Sequence, residues 1–127
     1  MSKKIIVSNQ APAPIGPYSQ AVKAGNTLYI SGQIPFDEVT GEMINENITE
    51  ETHQVMKNLE AILSEAGMGF EDVVKCSIFI KDMGQFATIN EAYAQYFKEN
   101  PPARECVEVA RLPKDVNVEI SCIAVDM

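Results

Sequence analysis

The sequence predicts an α+β fold in which two amphipathic helices cover one face of a mixed sheet. Three observations carry this. Helical stripes occur only twice, whereas short runs of period-two alternation occur six times, giving the order β-β-β-α-β-α-β-β. Of the 127 residues, 46% are hydrophobic and 22% charged, which is the composition of a packed domain. A chain of this length supports one domain, residues 1–127, with a core that needs no covalent staples.

Residues 3–8 read as a short first strand. Asn9 through Pro17 holds three prolines and Gly16, which forbid regular structure. The stretch is too apolar for a flexible linker, so an ordered loop lying on the body is expected, closed by Tyr18 and Ser19. Gln20–Ala24 and Thr27–Gln33 bracket Gly25-Asn26, a dipeptide suited to a two-residue hairpin turn. That register pairs Ala24 with Thr27, Val22 with Tyr29 and Gln20 with Ser31. Leu28 and Ile30 then face one side, Tyr29 and Ser31 the other. Gly32 marks a bulge or a close backbone approach. Pro35 through Gly41 reads as loop.

Asn47 is placed as an N-cap, with Glu50 three residues on able to reach back. Ile48, Thr52, Val55, Leu59, Ile62 and Leu63 recur at helical spacing, and Gly67 supplies a C-terminal stop. Val73–Lys81 alternates as Val74, Cys76, Ile78 and Ile80 against Val73, Lys75, Ser77 and Phe79, a half-buried strand. Asp82 and Gln85 repeat the capping signature. Phe86, Ile89, Tyr93 and Tyr96/Phe97 form the stripe of a second helix that ends before Pro101-Pro102. Two helices leave one sheet face uncovered. That face carries Tyr29, Phe79, Ile123 and Val125 among polar groups, too apolar to stay wet, so burial against other subunits is expected.

The segment from Pro101 to Cys122 concentrates the chemistry. It reads as a strand, a turn at Leu112-Pro113-Lys114-Asp115, and a returning strand Val116–Cys122. With Ala110 paired to Asp115, Val107 sits opposite Val118 and Val109 opposite Val116. The reverse face then gathers Arg104, Cys106, Glu108, Asn117, Glu119 and Ser121, with Cys106 opposite Glu119. A one-residue slip would scatter the apolar set. Two readings fit this convergence. Arg104 and Glu119 form a structural ion pair, or the guanidinium grips a ligand carboxylate while the glutamate orients a water.

Other chemistries are disfavoured. The net charge of −8 opposes binding to a phosphate backbone, and Lys3-Lys4 is the one adjacent basic pair. The three cysteines, at no metal-like spacing, read as reduced thiols in a cytosolic setting. His53, the single histidine, falls early in the first helix with nothing to bring it to Cys106 as a catalytic base, and a zinc site is improbable. Cys76 and Cys122 fall on core faces. No apolar run reaches membrane-span length, no signal peptide is read at the N-terminus, and no glycine-rich phosphate loop is present.

Asn100-Pro101-Pro102-Ala103-Arg104, then Cys106-Val107-Glu108-Val109, Leu112-Pro113 and Val118-Glu119-Ile120 resemble the C-terminal signature of the reactive intermediate deaminase (RidA/YjgF) family. The stretches 13–21 (Ala13 to Ala21), 30–35 (Ile30 to Pro35) and 86–90 (Phe86 to Asn90) resemble further family blocks, so the likeness covers nearly the whole chain. The resemblance implies a chorismate-mutase-like protomer in a homotrimer whose sheets form a central barrel, with clefts between subunits. It also implies hydrolysis of 2-imino acids and their enamine tautomers, of the 2-aminoacrylate and 2-aminocrotonate type, to 2-oxo acids and ammonia. By position, Arg104 would bind the substrate carboxylate and Glu119 would position the attacking water. Tyr18, Ser31, Gly32, Asn90 and Cys106 would line the cleft, some of them from the adjacent subunit. No metal or organic cofactor is implied. The family also includes ribonuclease-like and chaperone-like behaviour, and a 2-oxo-acid-binding protein without turnover would use the same arginine.

Overall fold

In the computed structural model, which describes residues 2–127, a six-stranded mixed sheet carries two helices on one face. The strands begin with β1 (Lys4–Ile6), β2 (Ala21–Ala24) and β3 (Thr27–Gln33). A small hairpin of β4 (Phe36–Asp37) and β5 (Glu42–Met43) follows, lying inside and just beyond the stretch read as loop. The rest is α1 (Ile48–Glu65), β6 (Val73–Ile80), α2 (Phe86–Ala94), β7 (Ala103–Glu108) and β8 (Val118–Val125).

The β2–β3 hairpin has the expected register. Ala24 pairs with Thr27 and Val22 with Tyr29, and Ser31 N donates to Gln20 O at 2.9 Å. Gly25 takes φ +60°, the left-handed conformation the tight turn requires. The Asn47 side chain caps α1 by accepting from Glu50 N at 2.9 Å, and Gly67 at φ +74° turns the chain after it. Asp82 caps a 3-10 turn at Met83–Gln85, accepting from Gly84 N, and α2 grows from that turn. The helix stops at Ala94, so Tyr96 and Phe97 lie just past its end. A register shift between Val73 and Lys75 reverses the expected phase at the start of β6. Val73 is buried and Val74 exposed, while Cys76, Ile78 and Ile80 keep the inward face.

The strand order is β1-β2-β3-β8-β6-β7, and this overturns the expected C-terminal hairpin. β7 runs parallel to β6 at the sheet edge, and β8 lies on the other side of β6, antiparallel to it and to β3. α2 is the crossover that a parallel β6–β7 pair demands. Ile80, Ile78 and Cys76 meet Val118, Ile120 and Cys122 across the ladder, a longer apolar match than β7 offers. Alternation correctly assigns faces within β8 but is blind to which strand stands beside it. Cys106 therefore pairs with Ile78, Glu119 with Phe79, and Val107 also with Phe79. Val107 turns to the uncovered face, opposite to expectation, and is 40% exposed.

Leu59, Ile62 and Leu63 of α1 and Ile89 of α2 pack on Ile78 and Ile120 at the centre of the core. The reverse face carries no helix. Tyr29, 50% exposed, is flanked there by Val22 and Ile123. A polar tie joins the helix to the sheet: the buried Glu51 carboxylate of α1 accepts from Asn117 N at 2.6 Å and Asn117 Nδ2 at 2.9 Å. Among the described residues, no helix is long and apolar enough to cross a membrane.

Candidate active site

The residues singled out from the sequence separate into two groups on opposite faces of the sheet. The first group lies at the β7 edge on the helical side. Arg104 pairs in register with Cys76, so its side chain rises beside α2. Its guanidinium carbon stands 5.0 Å from the centroid of the Tyr93 ring and 5.6 Å from that of Phe86. Those aromatic faces fix the plane of the fork without occupying its donors. No carboxylate lies within ion-pair distance of Arg104 among the described residues. Asn90 shares the α2 stripe, one turn after Phe86. Cys106, two residues along β7, projects to the same side as Arg104.

Burial pushes the Cys106 thiol up, partly countered by Arg104, so nothing activates it as a nucleophile. Cys76 and Cys122, cross-strand partners in the core, are raised in the same way. The Tyr93 hydroxyl is buried with no partner at ordinary hydrogen-bond geometry; the Cys76 thiol is the polar group beside it.

The second group lies on the uncovered face. Glu119 is half-buried, accepts no hydrogen bond from the described residues, and burial raises its pKa. It rests on Gly32, where a Cβ would come within 2.3 Å of Oε2. Gly32 falls within the register shift of β3 against β8, where Ser31 and Gly32 together face Ser121. The glycine is needed for room: its φ lies outside the left-handed region. The Ser31 hydroxyl donates to Ser19 O at 2.6 Å, tying β3 to the loop that presents the half-exposed Tyr18.

Within one protomer, then, Arg104 and Cys106 do not meet Glu119. β6 stands between their strands, roughly 10 Å separates β7 from β8, and the side chains leave opposite faces. An intrachain Arg104–Glu119 ion pair is excluded. The stacking role of Phe86 and Tyr93 was not legible, because their helical spacing reads as core. His53 is elsewhere, its Nδ1 2.7 Å from Tyr96 Oη. The described residues contain no cluster of metal-ligating side chains.

Comparison with known proteins places this arrangement. Residues 8–126 match the family described as endoribonuclease L-PSP. The chain belongs to that family, the Rid (RidA/YjgF) proteins. A RutC family protein of Pyrococcus horikoshii is 55% identical over 122 residues, covering 96% of this chain and 97% of that one. The crystal structure of E. coli TdcF with bound serine is 44% identical, covers 98% and 99% of the two chains, and superposes with a TM-score of 0.93. RidA from the Antarctic bacterium Psychrobacter sp. PAMC 21119 is also 44% identical, with coverage of 97% and 99% and the same TM-score. The Rid fold is thus that of this chain.

Proposed function

We propose that this Rid protein hydrolyses reactive 2-imino acids, of the 2-aminoacrylate and 2-aminocrotonate type, to 2-oxo acids and ammonia, at sites shared between subunits of a homotrimer. The observation that carries the reading is the separation just described. An unpaired, aromatic-backed arginine and an unpaired, half-buried carboxylate stand on opposite faces of one sheet. A neighbouring copy that covers the apolar reverse face would bring its Arg104 half to this Glu119 half.

The chemistry asks little more. Arg104 binds the substrate carboxylate through its fork, and Asn90 and Cys106 flank it. The protonated imine is already electrophilic, so no covalent nucleophile is required. Water oriented by Glu119 adds to C2, forming the C–O bond of a carbinolamine as Glu119 takes its proton. That proton passes to nitrogen, the C–N bond breaks as Glu119 takes the carbinol hydroxyl proton, C2 becomes a carbonyl, and ammonia leaves with that second proton as ammonium. The protein contributes the orientation of carboxylate, imine and water. The family's endoribonuclease description finds no support at these residues. The one histidine is engaged with Tyr96, and the charge of −8 repels RNA.

The test generates 2-aminoacrylate with a serine dehydratase in the presence of semicarbazide. The protein should suppress semicarbazone formation catalytically, and Arg104→Ala should abolish the effect. Protection limited to one imine per chain would mean binding without turnover.

A further inference from the structure

This inference rests on the deaminase reading and names its preferred substrates. Gly32 has two neighbours. One is the Glu119 carboxylate; the other is a cavity of about 320 Å³ that Gly32 and Tyr18 help to line. The remaining walls are chiefly apolar: Pro12 and Ile15 from the 9–17 loop, Ile34 after β3, and Phe36 and Met43 from the β4–β5 hairpin. Some of the polar groups on the wall are already engaged. Gln20 Nε2 donates to Ser8, Ala11 and Pro12 carbonyls, Gln33 Nε2 donates to Ser31 O, and Glu38 Oε1 accepts from Ala13 N at 2.9 Å. Lys114 is exposed and stands at the rim. The cavity therefore offers chiefly apolar contact, with the Tyr18 hydroxyl and Gln33 Oε1 as polar groups without a partner among the described residues.

Its size is the deciding quantity. Liquid water takes about 30 Å³ per molecule, so the space corresponds to roughly ten waters. The methyl group of 2-iminopropanoate would fill about one of them and leave the apolar walls wet. We propose that this cavity receives the substrate side chain, and that the preferred substrates are 2-imino acids with large apolar side chains, branched or aromatic. Gly32 adjoins both the Glu119 carboxylate and the cavity, so C2 can lie at the Glu119 water while the substituent on C2 runs between Tyr18 and the β4–β5 hairpin. Phe36 and Met43 are then specificity-determining residues, outside the reacting atoms.

An L-amino-acid oxidase supplies the probes in situ, converting alanine, norvaline, leucine and phenylalanine to their imino acids in the presence of semicarbazide. The expected kcat/KM for the leucine- and phenylalanine-derived imines exceeds that for the alanine-derived imine at least tenfold, in keeping with the leverage of extra methylenes in an apolar pocket. Met43→Trp, which fills the cavity, should lower the leucine-to-alanine ratio about tenfold. Phe36→Ala enlarges the cavity and should raise the phenylalanine-to-alanine ratio, which keeps the test decisive if the tryptophan variant misfolds. A flat series in the wild type, or ratios that neither variant moves, overturns the inference while leaving the deaminase reading intact. Inactivity towards every imine, 2-aminoacrylate included, overturns both.

Discussion

Gly32 is pressed against Glu119 so closely that a single added Cβ would stand 2.3 Å from its Oε2. The clash is with the end of a side chain, so the fold can absorb it by moving the carboxylate. Gly32→Ala should therefore keep a melting temperature within a few degrees of wild type. Its imine-hydrolysis kcat/KM should fall about 100-fold, the usual cost of moving a positioned group by about an ångström. Wild-type activity in this variant would remove Glu119 from the mechanism.

Arg104→Lys distinguishes a fork from a point charge. The ammonium keeps the charge but loses bidentate geometry and the planar stack on Tyr93 and Phe86. One charge-assisted hydrogen bond is worth about 1.5–3 kcal/mol, so kcat/KM should drop between about tenfold and 100-fold. Steady-state kinetics on 2-aminoacrylate measure it, and full activity in the lysine variant would show that charge alone suffices.

Glu119 links stability and catalysis with opposite signs. Burial raises its folded pKa above the unfolded value of about 4.3, so the folded state holds the proton more tightly. Ionisation at neutral pH thus costs stability, and that cost disappears below the unfolded pKa. Urea denaturation should find Glu119→Gln more stable than wild type at pH 7, with the difference closing as the pH falls below about 4. Activity needs the ionised form, so the acid limb of kcat/KM should lie above the ordinary carboxylate range. A limb below it would mean that a neighbouring copy's guanidinium outweighs burial.

The Glu51–Asn117 tie predicts a stability effect. Asn117→Ala removes one of two donors from a carboxylate that is 1% exposed. Leaving a buried charge under-satisfied costs about 3 kcal/mol, to be read from the urea midpoint. Glu51→Gln should cost less, since the amide oxygen can still accept from Asn117 N. Equal losses in the two variants would contradict the charge argument.

Tyr29→Glu tests the uncovered face. The substitution sets a carboxylate beside Val22 and Ile123, where neighbouring copies are proposed to meet. Light scattering should return three chains for the wild type and one for the variant, with imine hydrolysis lost together with assembly. A variant that stays trimeric would show that this face is not the interface.

Local features were legible from the residues alone. Gly25-Asn26 set the β2–β3 register, and Asn47 with Gly67 bounded α1, because each acts within a few positions of itself. What the pattern could not carry was the identity of a strand's neighbour. Val118, Ile120 and Cys122 were rightly turned inward, yet alternation is satisfied equally by β7 or β6 at their side. That ambiguity brought Arg104, Cys106 and Glu119 onto one face, when the insertion of β6 sends them to two. The family signature pointed to particular residues while remaining silent about which side of the sheet each occupies. The cavity was not foreseen, because Phe36 and Met43 sit on two-residue strands too short to leave a period.

β8 is the last strand in sequence and stands between β3 and β6. During synthesis, everything up to α2 and β7 is made before the strand that joins the two halves. Until then β3 and β6 each present an unpaired edge, the arrangement most prone to pairing with another chain. The sheet closes only through contacts spanning about a hundred residues, such as Leu28 with Ala124, which makes folding slow for a chain of this size. Newly made protein should therefore depend on chaperones that hold open strand edges, and mutations in β8 should appear first as lost yield, before any loss of activity per molecule.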